Sequence, residues 1–216
     1  MKNSIREILN KSWPAPFLFR NKNYEAPKIF FVQVDPREIL NICMIPEESV
    51  LLTGRRARSG LQSGMWDFLK KPFKNHSIYK TVTCILNGRS FEETPLYKKT
   101  EKGYSVTQMQ NQYKRLLKRI KQLDAEGYKT QYELGKIDQV QKIGKLSVPK
   151  HETIIGIDRD GKMMRLVGGR HRLAVAQQIG ITSMPAVLSL IHPDASGKLP
   201  EKRRMITGDP EDFRPF

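Results

Sequence analysis

The sequence predicts an α+β fold, a small mixed sheet with packed helices and a helical insertion. Three observations predict it. Short apolar runs bounded by turn residues stand at 28–34, 152–157, 163–167 and 184–191, each with the length and composition of a buried strand. A long amphipathic stretch at 105–126 separates the first run from the others. A short helix at 170–179 joins the last two runs, giving a strand–helix–strand unit near the end of the chain. These elements divide the 216 residues into an N-terminal arm at 1–27, a domain at 28–192 with its helical insertion at about 63–126, and an extension at 193–216.

Taken in order, residues 4–12 can form a short helix that Pro14 and Pro16 end. The strand "KIFFVQV" is followed by "DPREIL", where Asp35 can cap and Pro36 suits the first helical position, so a turn of helix is expected. Residues 53–64, "TGRRARSGLQSG", read as a loop. Residues 77–86 read as a helix capped by Ser77 and stopped by Gly88. In 105–126, Val106, Met109, Tyr113, Leu116, Ile120 and Leu123 recur at spacings of three and four, forming one apolar stripe. Beyond Gly127 the text turns β-like. "ETIIGI" and "MMRLV" make a hairpin pivoting on Asp160-Gly161, and "MPAVLSLI" is a further strand. The tail from Pro193 is charge-balanced and reads as a loosely packed extension.

Composition bears on partners. Lys and Arg number 38 against 22 Asp and Glu, a net charge of +16, and mean hydropathy is −0.53. Such an excess suits a polyanion: nucleic acid, nucleotide phosphates, an anionic polymer or an acidic membrane surface. Cys43 and Cys84 are isolated among apolar residues, with no CxxC and no Cys/His cluster, which argues for buried small hydrophobes and against a disulfide framework or a zinc site. The chain opens without the apolar run of a signal peptide, and no apolar stretch nears the ~18 residues that span a bilayer. A reducing, cytoplasmic setting is the expectation.

The densest signal is "RLVGGRHRLAVAQQIG" at 165–180. Two glycines after a strand allow positive φ and close approach of a ligand. The helix that follows presents free N–H groups and a partial positive charge, and Arg170, His171 and Arg172 add donors. Gly168, Gly169, Arg170, His171 and Arg172 together therefore read as a phosphate site.

The unit "LVGGRHRLAVAQQIGITSMPAVL" resembles the signature of the ParB/sulfiredoxin superfamily. There a strand leads into a Gly-x-x-Arg type phosphate loop, then a helix, then a strand opened by a proline; "DGHHR", "GERR" and "GGCHR" are versions of the loop. The resemblance covers roughly 152–191 and extends more weakly to "IFFVQVDPREI", leaving 50–150 outside the shared core. The segment "WD…PF..H..Y…G..FEETPLY" is also similar to a set of ParB-like proteins. The superfamily includes CTP-hydrolysing partition proteins, ATP-using sulfiredoxins and free-serine kinases. The resemblance implies a nucleotide, ATP or CTP with Mg²⁺, held by the loop. Arg170 stands where sulfiredoxin has its cysteine, which argues against sulfinic-acid reduction. Only about 35 residues follow Gly180, which leaves no room for the helix-turn-helix domain of a partition protein.

A phosphotransferase or NTPase needs a carboxylate to orient a nucleophile. Glu152, just before the strand that leads to the loop, Asp67 in "GMWDF" and Glu93 in "FEETPLY" are the candidates. Each has a structural alternative: Glu152 as a strand-end acid, and Ser90 with Glu93 as a capping box. Trp66 can stack a base or serve the core, and His76 reads as structural. No metal site is legible. Two functions follow. One is a nucleoside-phosphate-binding protein, with or without phosphotransferase or NTPase activity. The other is a DNA- or polyanion-binding module using Lys114, Arg115, Lys118 and Arg119, which lie off the apolar stripe and are expected to be exposed. The oligomeric state is not legible.

Overall fold

The computed structural model describes residues 31–44, 60–61, 67–131, 133–135, 140–143, 146–149 and 151–195. The expected helix at 4–12, the start of the first strand at 28–30, most of the 53–64 loop, Trp66 and the tail beyond 195 lie outside the described residues.

The centre is a mixed sheet. Its strands are β1 (Phe31–Val34), β2 (Asn41–Cys43), β3 (Gly60–Leu61), β4 (Lys70–Pro72), β7 (Ile154–Ile157), β8 (Met163–Val167) and β9 (Met184–Ile191); β5 (Val140–Ile143) and β6 (Leu146–Pro149) form a separate antiparallel hairpin. The order across the main sheet is β1-β9-β7-β8-β2-β4, with β3 also paired to β9. The four strands read from the sequence thus lie side by side. β9 pairs antiparallel with β1 and parallel with β7, and β7 and β8 form the expected antiparallel hairpin. Gly161, at φ +78°, makes its turn. β2 then adds parallel to β8 and β4 antiparallel to β2. Lys70, Lys71 and Pro72 in β4 suit the rim of a sheet, where a missing N–H and two charges discourage further pairing.

The helices are α1 (Ser77–Leu86), α2 (Val106–Glu126) and α3 (Arg170–Gln178). His76, not Ser77, caps α1: its Nδ1 accepts from Ile78 N–H at 3.1 Å. The imidazole does what the serine was expected to do because the helix begins at Ser77 itself. Gly88 follows the end of α1 at φ +73°. Asp35 caps a 3-10 turn at Pro36–Glu38, as its sequence implies. On α2, Met109, Leu116 and Leu123 are buried and Tyr113 and Ile120 pack beside them, but Val106 is 48% exposed. Val106 belongs to the first turn, before the stripe meets the body. α3 is buried along five consecutive residues, Arg172 to Ala176. It lies under α1 and α2 and against the core, so a one-sided stripe is not what its sequence carries. Gln177 Nε2 donates to the carbonyls of Pro36 and Ile39 at 2.6 and 3.0 Å, fixing α3 to the turn after β1.

Candidate functional site at the start of α3

β8 ends at Val167, and Gly168 and Gly169 turn the chain into α3 with φ of +67° and +53°. Gly169 is the N-cap and brings no side-chain cap of its own. Its lack of a side chain has a clear cause. A Cβ there would stand 2.0 Å from Thr153 Oγ1 and 2.8 Å from Thr153 Cα. The loop is thus pressed onto the residue before β7, and any side chain would force the two apart. Arg165, buried in β8, donates through Nε to Gly168 O at 2.5 Å and holds the loop from below.

The triplet divides. Arg170 is exposed, while His171 and Arg172 turn inward. His171 Nε2 lies 3.1 Å from Gln112 Nε2 of α2. Burial, then the charges of Arg119, Arg170, His76 and Arg165, push the His171 imidazole down to about 3. Burial, then Arg170, Lys71, Arg165 and Lys99, push the His76 imidazole down to about 4. Burial and Arg170 also lower the Lys99 ammonium. Burial first, and then cations from β4, the 3-10 turn at Tyr97–Lys102, α2, β8 and α3, keep both histidines neutral.

Arg172 faces another direction. Its side chain is 6% exposed; Nη1 donates to Glu152 Oε2 at 3.5 Å, and the guanidinium lies 4.1 Å over the ring of Tyr128. Tyr128 Oη is 2.9 Å from Thr153 Oγ1, the residue that the loop presses on. Glu152 is fully buried and accepts from Gln131 N–H at 2.5 Å. Burial pushes its carboxyl up to about 7, against the pull of Arg172 and that N–H. Arg119 of α2 stands beside Arg172, and burial and that neighbour lower its guanidinium. The two arginines line a cavity of about 100 Å³ between α2, the 127–134 segment and α3.

Of the three candidate carboxylates, Glu152 alone stands beside the loop. Asp67 is buried at the far end of the β7–β8 hairpin, where it accepts from Arg159 N, Nε and Nη2 at 3.0, 2.8 and 2.8 Å. Those bonds win over burial and bring its carboxyl down to about 2. Glu93 is exposed, accepts from Ser90 N–H at 2.9 Å and pairs with Arg89, which is the capping-box alternative. Lys114, Arg115 and Lys118 are exposed on α2, but Arg119 is half-buried, because its turn of the helix faces α3. His76 is both the cap of α1 and a wall of the cationic centre. Lys99, Arg165, Gln112 and Tyr128 carry no local signal in the sequence; only the packing of α1 and α2 over α3 brings them in.

Comparison of the chain with family models, curated proteins and solved structures gives no match.

Proposed function

We propose that this chain binds a phosphorylated ligand, a nucleoside phosphate such as ATP or CTP, at the start of α3. The observation that carries the reading is the convergence of positive charge there: Arg170, Arg165, Lys71 and Lys99 act on His76, and Arg119, Arg170 and Arg165 on His171. Positive charge close to two half-buried imidazoles favours an anion at that point. A helix N-terminus adds N–H donors and its dipole at the same point. Gly168 and Gly169 keep that turn free of side chains, and Arg170 and His171 supply donors to the phosphate. Among the described residues no three His, Cys, Asp or Glu side chains gather for a metal. A Mg²⁺ arriving with the nucleotide takes its ligands from phosphate oxygens and water. Binding is better supported than phosphotransferase or NTPase chemistry, because Glu152 sits fully buried behind Arg172. The resemblance to the ParB/sulfiredoxin superfamily favours the same site. A thermal-shift series with ATP, ADP, CTP, GTP and inorganic phosphate, with Mg²⁺, tests the reading, since a ligand of the folded state raises its melting temperature by mass action.

A second reading, a DNA- or polyanion-binding module, is favoured by one observation: Lys114, Arg115 and Lys118 are exposed together on α2 of a chain with net charge +16. A steep dependence of duplex binding on salt supports it.

A further inference from the structure

Arg172 is buried, with its side chain 6% exposed, and makes one long hydrogen bond. A guanidinium carries five N–H donors. Here one of them reaches an acceptor, Glu152 Oε2, at 3.5 Å, a distance too long for a strong charge-assisted bond. The ring of Tyr128 covers a face of the group, not its N–H edge. Among the described residues the remaining donors have no hydrogen-bond acceptor. Buried polar groups without partners are rare and each calls for an explanation. Arg172 lines the cavity of about 100 Å³, and a second arginine, Arg119, lines the same cavity. Arg119 has no acidic partner among the described residues. Glu126 also lines the cavity, but its carboxylate pairs with Lys129 at 3.1 Å, so the two guanidiniums face the space without a carboxylate of their own there.

We propose that this cavity between α2 and α3 binds a short monocarboxylate, held by the paired guanidiniums of Arg119 and Arg172. Charge and planarity set the anionic end: a flat carboxylate accepts two parallel N–H bonds from one guanidinium edge and leaves a lone pair for the other. The apolar part of the lining sets the other end. Leu123 and Leu134 are the two apolar side chains of the lining, and they suit a small alkyl group where the further oxygens of a phosphate would lose their hydration. The volume restricts the ligand to a few carbons. The site draws on α2 and the 127–134 segment, and it does not rest on a nucleotide at the start of α3.

Binding also moves a proton. Glu152 is faced by Arg172 from α3 and by Gln131 N–H and Glu133 from the 127–134 side, with Tyr128 alongside. The ligand's charge offsets that of Arg172, the influence that now holds the Glu152 carboxyl down. Its proton affinity therefore rises, and the complex takes up a proton near neutral pH. Affinity falls as pH rises from 7 to 9.

Titration calorimetry of the full chain with acetate, propionate and butyrate, in two buffers of different ionisation enthalpy, tests this, with inorganic phosphate as the comparison. The expected result is binding of propionate or butyrate in preference to phosphate, with proton uptake near pH 7. Arg119→Met, which removes a half-buried side chain, should weaken binding about ten- to a hundredfold with its melting curve retained. Glu152→Gln should keep the binding and abolish the proton uptake. The proposal is overturned if the folded protein binds none of the three acids at tens of millimolar. Phosphate binding as tightly as propionate overturns it too, as does an unchanged affinity in Arg119→Met or an unchanged proton uptake in Glu152→Gln.

Discussion

Glu152→Gln should make the protein more stable relative to wild type as pH rises through 7, the gain levelling off once the wild-type carboxyl is ionised. The substitution keeps the shape of the side chain and removes the titration. Burial raises the Glu152 carboxyl from its ordinary 4.5 to about 7, even with Arg172 at 3.5 Å and Gln131 N–H at 2.5 Å favouring its charged form. A carboxyl whose pKa is raised by folding holds its proton more tightly in the native state. The stability this gives is fully present below pH 4.5 and is lost as pH rises through about 7. From 4.5 to about 7, at about 1.4 kcal/mol per pH unit, the loss amounts to about 3 kcal/mol. Full burial of the group means no screening by water reduces that figure. The assay is urea unfolding of both proteins from pH 4.5 to 8.5. The stability of wild type minus that of Glu152→Gln should fall by about 3 kcal/mol across the range. Taking this difference cancels the titration of every other group. A difference that stays flat, or that grows in favour of wild type with pH, would mean that Glu152 is ionised in the native state and that Arg172 fully offsets its burial.

Gly169→Ala should destabilise by about 1–2 kcal/mol through its left-handed backbone alone, and by more through the clash with Thr153. Gly180→Ala is the control in the same melting experiment: it shares a positive φ but meets nothing within 4 Å, so it should incur the backbone cost only. Sulfate, which stays a dianion down to about pH 3.5, should bind more tightly as pH falls from 6 towards 4, because an anion at the start of α3 favours the protonated forms of His76 and His171, now held down to about 4 and about 3; calorimetry showing pH-independent affinity over that range in the folded protein would contradict this. Replacing Lys114, Arg115 and Lys118 with Gln should flatten the salt dependence of duplex binding by about 0.9 for each phosphate no longer neutralised, and an unchanged slope would remove α2 as a binding surface.

The fold was most legible where the pattern was local. β8, β9, α1 and α2 follow runs whose period and turn residues are plain in the sequence. The strands β2 and β4 were not legible, since "NIC" and "KKP" have little strand character and exist only because β8 leaves an edge for β2 to pair. The cap of α1 was read one residue too late, because a histidine can accept the N–H that a serine usually takes. At the site, the glycines and the triplet were visible as a unit, but not the divergence of His171 from Arg172. That depends on which face of α3 meets α2 and which meets the 127–134 segment. Arg119 looked like one more exposed cation of a basic run, and only its packing on α3 sets it apart from Lys118. Asp67 was misleading, since its aromatic neighbours gave no hint that Arg159, distant in sequence, would claim both of its oxygens.

The most direct test of the central claim is calorimetric titration of ATP and CTP, with Mg²⁺, into wild type, Arg170→Ala and His171→Ala, beside a melting curve for each. Arg170 is exposed, and among the described residues His171 has one hydrogen-bond partner, Gln112, so both variants should stay folded. Wild type should bind a nucleoside phosphate, and each variant should bind it about ten- to a hundredfold more weakly, the value of one charge-assisted hydrogen bond. Wild type that binds no nucleoside phosphate at millimolar concentration, or variants that bind as well as wild type, would contradict it.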